Sequence, residues 1–137
     1  MTSGLPAAAS NVGATYMKGD GVPVDAVQAI QWFEKAADMG NAKAMNAIGA
    51  IVANVAKNVP ADPVQATAWF LKAAKAGDAE GMKNFGLCCL RGIGIEQDRA
   101  LGWQWMKRAA KGGNSDAAAL LKLGSTRPSE RGLISEQ

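Results

Sequence analysis

Histidine is missing from this 137-residue chain, and that removes the commonest general base, the commonest metal ligand and every Ser-His or Cys-His nucleophile pair. Cysteine is scarce as well. The two that are present, Cys88 and Cys89, are neighbours; on a helix they point about 100° apart and cannot easily bond to each other. Without histidine they also fall short of a zinc site, so no metal and no cofactor is expected. Buried free thiols are the simplest reading, and they favour a reducing compartment. None of the serines opens an S-x-x-K motif that would let lysine replace histidine as the base. The chain is therefore expected not to be an enzyme.

Long apolar runs are absent too. No stretch approaches the roughly 18 apolar residues of a membrane span, and Met1 to Ser10 lacks a cationic start followed by an apolar segment. These features predict a cytoplasmic protein with no membrane partner. Aromatics make up only 6% of residues although 48% are apolar, and the excess is alanine, the best helix former and small enough for helices to approach closely. The 15 basic and 12 acidic residues give a net charge of +3. The basic residues are scattered, which argues against nucleic acid and points weakly to an acidic protein partner.

What is present is a repeated phrase. Trp32-Phe33-Glu34-Lys35-Ala36-Ala37, Trp69-Phe70-Leu71-Lys72-Ala73-Ala74 and Trp105-Met106-Lys107-Arg108-Ala109-Ala110 each run into a glycine followed by Asn or Asp: Gly40-Asn41, Gly77-Asp78 and Gly113-Asn114. The tryptophans are 69 − 32 = 37 and 105 − 69 = 36 residues apart, a period that signals a solenoid of helix pairs. In the first unit Ala8, Val12, Gly13 and Tyr16 share one helical face. Gly19-Asp20-Gly21 then turns the chain, Asp25 caps the second helix, and Ala29, Trp32, Phe33, Ala36 and Ala37 form its buried face. Gly40-Asn41 is read as the left-handed cap that ends it.

The second unit repeats the plan with Ala44, Ile48, Gly49 and Val52, then Asp62 as cap and Pro63 at the first helical position. Its turn has Ala56 and Asn58 in place of the two glycines and contains one inserted residue, so its first helix is expected to end late or bulge. The third unit has Gly81, Phe85, Gly86 and Cys89, the turn Gly92-Ile93-Gly94, and Asp98 as cap. Ser115 to Leu123 is the first helix of a fourth unit, able to cover the last full one. The expected domain plan is an N-terminal extension at 1–6, one repeat domain at 7–124 with units at 7–41, 42–78 and 79–114 and a capping helix at 115–123, and a tail at 125–137.

This pattern resembles the Sel-one-like repeat family, relatives of the tetratricopeptide repeats. Val12-Gly13, Tyr16, Gly19, Gly21-Val22, Asp25, Ala29, Trp32, Lys35-Ala36-Ala37 and Gly40-Asn41 carry the resemblance, which recurs from Ala44 to Asp78 and from Gly81 to Asn114. It implies an all-α fold, a right-handed superhelical solenoid of helix-turn-helix repeats with three full repeats and a C-terminal capping helix. Classical tetratricopeptide repeats have a period of about 34 and lack the paired glycines. The departures are the second turn and Gly102, which stands where Ala29 stands in unit one.

The resemblance also implies a protein-binding adaptor. Some cysteine-rich relatives are secreted, pair cysteines across the helices of each unit and are linked to β-lactam binding or hydrolysis; that pairing is absent here. Removing the buried positions from the first helices leaves Asn11, Ala14 and Lys18, then Asn46, Ala47, Ala50 and Asn54, then Lys83, Asn84, Leu87 and Arg91. This is the expected concave binding face, an amide ladder with small residues between, suited to an extended peptide or partner helix. Lys18, Lys83 and Arg91 would favour an acidic segment. The three tryptophans are read as core wedges between units rather than as a binding platform. An adaptor or regulator is the first reading and a dedicated inhibitor, such as a toxin's immunity protein, the second. A monomer is expected.

Overall fold

The computed structural model describes residues 4–19, 21, 23–53 and 61–126, with Ser125 and Thr126 described for the backbone alone. Among these residues there are seven helices and no strand: α1 (Leu5–Lys18), α2 (Ala26–Asp38), α3 (Ala42–Ala53), α4 (Pro63–Lys75), α5 (Ala79–Arg91), α6 (Arg99–Lys111) and α7 (Ser115–Thr126). α1 with α2, α3 with α4, and α5 with α6 form the three helix pairs, and the second helix of each pair packs on the first helix of the next. α3 also meets α5 directly, so the first helices of units two and three lie side by side. The result is a helical-repeat solenoid.

Local sequence explains the boundaries. Asp25, Asp62 and Asp98 stand in extended backbone, and their side chains accept hydrogen bonds from the amides of Gln28, Gln65 and Leu101 at 3.0, 3.1 and 3.0 Å, satisfying donors that have no partner within the first helical turn. Gly19 and Gly92 end the first helices of units one and three in the left-handed region, at φ 77° and 70°, where glycine pays no Cβ penalty.

One reading of the unit boundary changes. Gly40, Gly77 and Gly113 take the positive φ values alone, at 90°, 102° and 98°. Asn41, Asp78 and Asn114 instead cap the following helices, accepting from the amides of Ala44, Gly81 and Ala117 at 2.8, 2.9 and 2.8 Å. The same three residues still close the preceding helix through their own amides, which donate to Ala36, Ala73 and Ala109 carbonyls at 3.0 Å each. A single short polar residue thus passes the chain from unit to unit.

The core follows the repeat. Gly13, Ala44, Ile48, Gly49, Val52, Gly81, Phe85, Gly86 and Cys89 are buried on the first helices, and Ala29, Phe33, Ala36 and Ala37 on the second helix of unit one. Val12, Tyr16 and Trp32 are half-buried, whereas Ala8 is exposed and Ala9 is buried in its stead. The reason is positional. Ala44 and Gly81, the equivalents of Ala8, face the second helix of the preceding unit, and a Cβ on Gly81 would stand 2.6 Å from that of Ala73. No described helix precedes α1. α1 also begins at Leu5 and α7 runs to Thr126, each slightly longer than the sequence suggested. The late ending expected for α3, together with Ala56, Asn58 and the tail beyond Thr126, lies outside the described residues.

The helix backbones cross more closely in unit three than in unit two. A Cβ on Gly49 would meet the Phe70 ring at 2.6 Å and the Ala66 carbonyl at 3.2 Å; one on Gly86 would lie 2.9 Å from the Gly102 carbonyl. Met106 replaces the phenylalanine in unit three, and Gly102 replaces the alanine. The smaller pair lets α5 and α6 approach more closely, which is the physical account of that departure.

Candidate functional site

The first helices carry ten of the eleven residues singled out from the sequence; Asn54 lies outside the described residues. Asn11 and Lys18 are exposed on α1 and Ala14 is half-buried between them. Asn46 and Ala47 are half-buried on α3, with Ala50 exposed one turn on. On α5, Lys83, Asn84 and Leu87 are half-buried and Arg91 is exposed.

The structure brings two of these together. Asn84 Nδ2–H donates to Asn46 Oδ1 at 2.9 Å, joining α5 to α3 across a separation of 38 residues. The bond uses one of two amide protons on Asn84 and leaves its carbonyl oxygen and both Asn46 amide protons for other partners. Two rungs of the amide ladder are therefore held in a fixed orientation. Asn84 and Asn46 are not at the same repeat position, since Asn84 aligns with Ala47; the pair exists because α3 and α5 touch.

Lys83 is drawn the other way. Its ammonium donates to Glu80 Oε2 at 2.8 Å and lies 3.6 Å from Asp116, and only 13% of its side chain is exposed. Asn114 Nδ2–H donates to the other Glu80 oxygen at 2.8 Å, while Asn114 Oδ1 caps α7. The hydrogen bond from Lys83 holds the Glu80 carboxyl below its ordinary pKa, against partial burial that acts upward, with Asn114 adding to the lowering. Lys83 thus fastens α7 to α5, and its charge is offset by two carboxylates. Of the three cations expected to make the first-helix face basic, Lys18 and Arg91 remain. Leu87 also packs toward α6 and α7, near the cluster of Met106, Ala109 and Ala117.

Sequence reasoning missed a repeated contact on the second helices. Lys35 stands 4.3 Å above the Trp32 ring, Lys72 4.4 Å above Trp69, and the Arg108 guanidinium 4.3 Å from Trp105. The i, i+3 spacing of a cation after each tryptophan was the available signal, because residues three apart share a helix face. Trp105 is buried and meets Phe85 edge-on, with centroids 5.9 Å apart and planes at 89°; Trp32 and Trp69 are only half-buried.

Cys88 and Cys89 are free and buried. Burial raises both thiols above their ordinary pKa; a hydrogen bond with Thr67 and the Arg91 charge act the other way on Cys88, while Cys88 and Asp98 raise Cys89 further. Neither is a ready thiolate. Among the described residues no three His, Cys, Asp or Glu side chains are grouped to hold a metal ion, and no helix is long and apolar enough to cross a membrane.

Comparison with known families places this geometry. The sequence profile of the Sel1 repeat matches residues 6–41, 42–78 and 79–114. The chain belongs to the Sel1 repeat family. Sel1 repeat proteins generally mediate protein–protein interactions, and the repeat is typically a non-catalytic module. Among solved structures, this Sel1 repeat chain is similar to a Sel1 repeat protein from Oxalobacter formigenes, with 31% identity, a TM-score of 0.76, and coverage of 88% of this chain and 90% of that one. It is also similar to a protective antigen of uropathogenic Escherichia coli strains that displays an SLR fold, at 30% identity and a TM-score of 0.81, covering 91% of this chain but 27% of the antigen. Cysteine-rich protein B of Helicobacter pylori shares the fold at 16% identity, with a TM-score of 0.68 and coverage of 88% and 99%. No functionally curated protein matches.

Proposed function

We propose that this Sel1 repeat chain is a non-catalytic adaptor or regulator that binds an extended peptide or helix of another protein along its first-helix face. The observation that carries the reading is the Asn84 to Asn46 hydrogen bond. It spans two units and holds amide groups whose remaining donors and acceptor suit the unpaired backbone of an extended peptide or the polar side chains of a helix. The contact of α3 with α5 supports it, because helices that crowd together line the inner side of a curved array. Ala14, Ala47 and Ala50 leave room there, and Lys18 and Arg91 favour an acidic segment. A monomer in the reducing cytoplasm suits two buried free thiols.

The test starts from a partner identified by co-purification and then purified. Asn84→Ala with Arg91→Ala in the folded protein is expected to weaken binding about tenfold, the loss of one or two hydrogen bonds of about 1 kcal/mol each. Unchanged affinity would refute this face. The measured Kd also separates an adaptor from a dedicated inhibitor, which needs far tighter binding.

A further inference from the structure

The last described helix departs from the repeat in a way that leaves a second surface open among the described residues. In each full unit a glycine marks where the second helix crosses the first, and a Cβ on Gly13, Gly49 or Gly86 would come within 2.9, 2.6 or 2.9 Å of that helix. α7 has Lys122 at this register, 36 residues after Gly86. A lysine there blocks the close crossing that a repeat-type second helix makes. Trp103, which has no counterpart tryptophan in units one and two, lies instead against α7, its ring 3.0 Å from where a Cβ on Gly124 would be.

What remains is a groove between α6 and α7. One concavity of about 730 Å³ is lined by Lys107, Arg108, Ala110, Lys111 and Leu121. It shares Lys107 and Leu121 with a second of about 270 Å³ that reaches Trp103 and Gly124. Trp103, Lys107 and Lys111 recur every four residues along one face of α6, a stripe about 12 Å long at 1.5 Å per residue. That accommodates roughly two turns of a docked helix. No acidic residue lines either part. Lys107 and Lys111 are exposed and have no ion-pair partner among the described residues, whereas Arg108 is engaged with Trp105.

We propose that the α6–α7 groove docks an acidic amphipathic helix of another protein, its apolar stripe on Ala110 and Leu121 and its carboxylates on Lys107 and Lys111. The surface is separate from the first-helix face. Charge complementarity selects the occupant: an apolar floor rewards a leucine stripe, and two unpaired cations reward flanking carboxylates. Nucleic acid fits less well, because among the described residues Trp103 is the one aromatic ring lining the groove and part of its edge packs on Gly124, which leaves no series of rings for successive bases.

The experiment uses the full chain and a synthetic 16-residue helical peptide with a leucine stripe flanked by glutamates, beside a twin with lysine for each glutamate. At low salt the acidic peptide is expected to bind at least tenfold more tightly than its twin, and K107E/K111E to abolish that preference while N84A/R91A preserves it. Equal binding of the two peptides, or an unchanged preference in K107E/K111E, overturns the proposal. So does displacement of the acidic peptide by single-stranded DNA at equal concentration, which would assign the groove to nucleic acid. A tenfold gain in acidic-peptide affinity in E130K/E136K would show that the chain's own C-terminal segment holds the groove, and would overturn the assignment to a partner.

Discussion

Replacing Gly102 with alanine sets the sequence pattern against the structure. Units one and two have Ala29 and Ala66 at this position, and alanine in a helix interior is worth about 1 kcal/mol over glycine; the repeat alone predicts a more stable protein. The geometry of unit three predicts the reverse. A Cβ on Gly102 would lie 2.7 Å from Leu90 Cγ and 2.8 Å from the Gly86 carbonyl oxygen. Leu90 can turn aside, but the carbonyl belongs to the backbone of α5, so relief requires α5 and α6 to separate. Overpacking of this kind costs about 1–3 kcal/mol. Subtracting the propensity gain leaves a net loss of about 1 kcal/mol, or a melting temperature lower by about 3–5 °C for a chain of this size. Thermal denaturation followed by circular dichroism measures it directly. A Gly102→Ala protein that melts above the parent would refute the argument from the close crossing and restore the repeat pattern as the better guide.

Asp25→Ala and Asp98→Ala should each cost about 1 kcal/mol in denaturant unfolding, while the Asn variants stay near the parent, because the side chain is needed only to accept one amide hydrogen bond; an Asn variant as damaged as the Ala variant would mean that charge matters more than capping. Trp105→Ala should lose about 3–5 kcal/mol as a buried ring with an aromatic partner, and Trp69→Ala, half-buried, distinctly less; equal losses would contradict the difference in burial. Since Lys83 holds the Glu80 carboxyl below its ordinary pKa, the folded state gains from ionised Glu80 at neutral pH and loses that gain as pH falls through the lowered value. Protection of the α7 amides, taken relative to their intrinsic exchange rate at each pH, should therefore fall in acid for the parent and be already reduced at neutral pH in Glu80→Gln. Thiol reagents should modify Cys88 and Cys89 slowly in the native protein and quickly in denaturant, as burial and raised thiol pKa require.

The helices, their order and most of the core were legible because they rest on local rules repeated three times. Asp25, Asp62 and Asp98 announce helix starts, paired glycines announce turns, and alanine and aromatic spacing marks the buried faces. Ala8 was misjudged because its burial depends on a preceding unit; Asn41 closes its helix as expected, and its second role as cap of the next helix was missed because one residue serves both. For the candidate site, the sequence marked Asn46 and Asn84 as facing outward but not as partners. It read Lys83 as a groove cation, although Glu80 stands three residues before it on the same helix; only the approach of Asp116 from α7 lay beyond a local rule.

By itself the sequence determined the repeat, the all-helical solenoid and the absence of histidine chemistry, because these depend on residue type and on spacing along the chain. Tertiary structure alone decided which amides pair, which cations stay unpaired, why unit three needs Gly102, and that a basic groove opens between α6 and α7. Those depend on distances between helices that are far apart in sequence, and no local rule sets such distances.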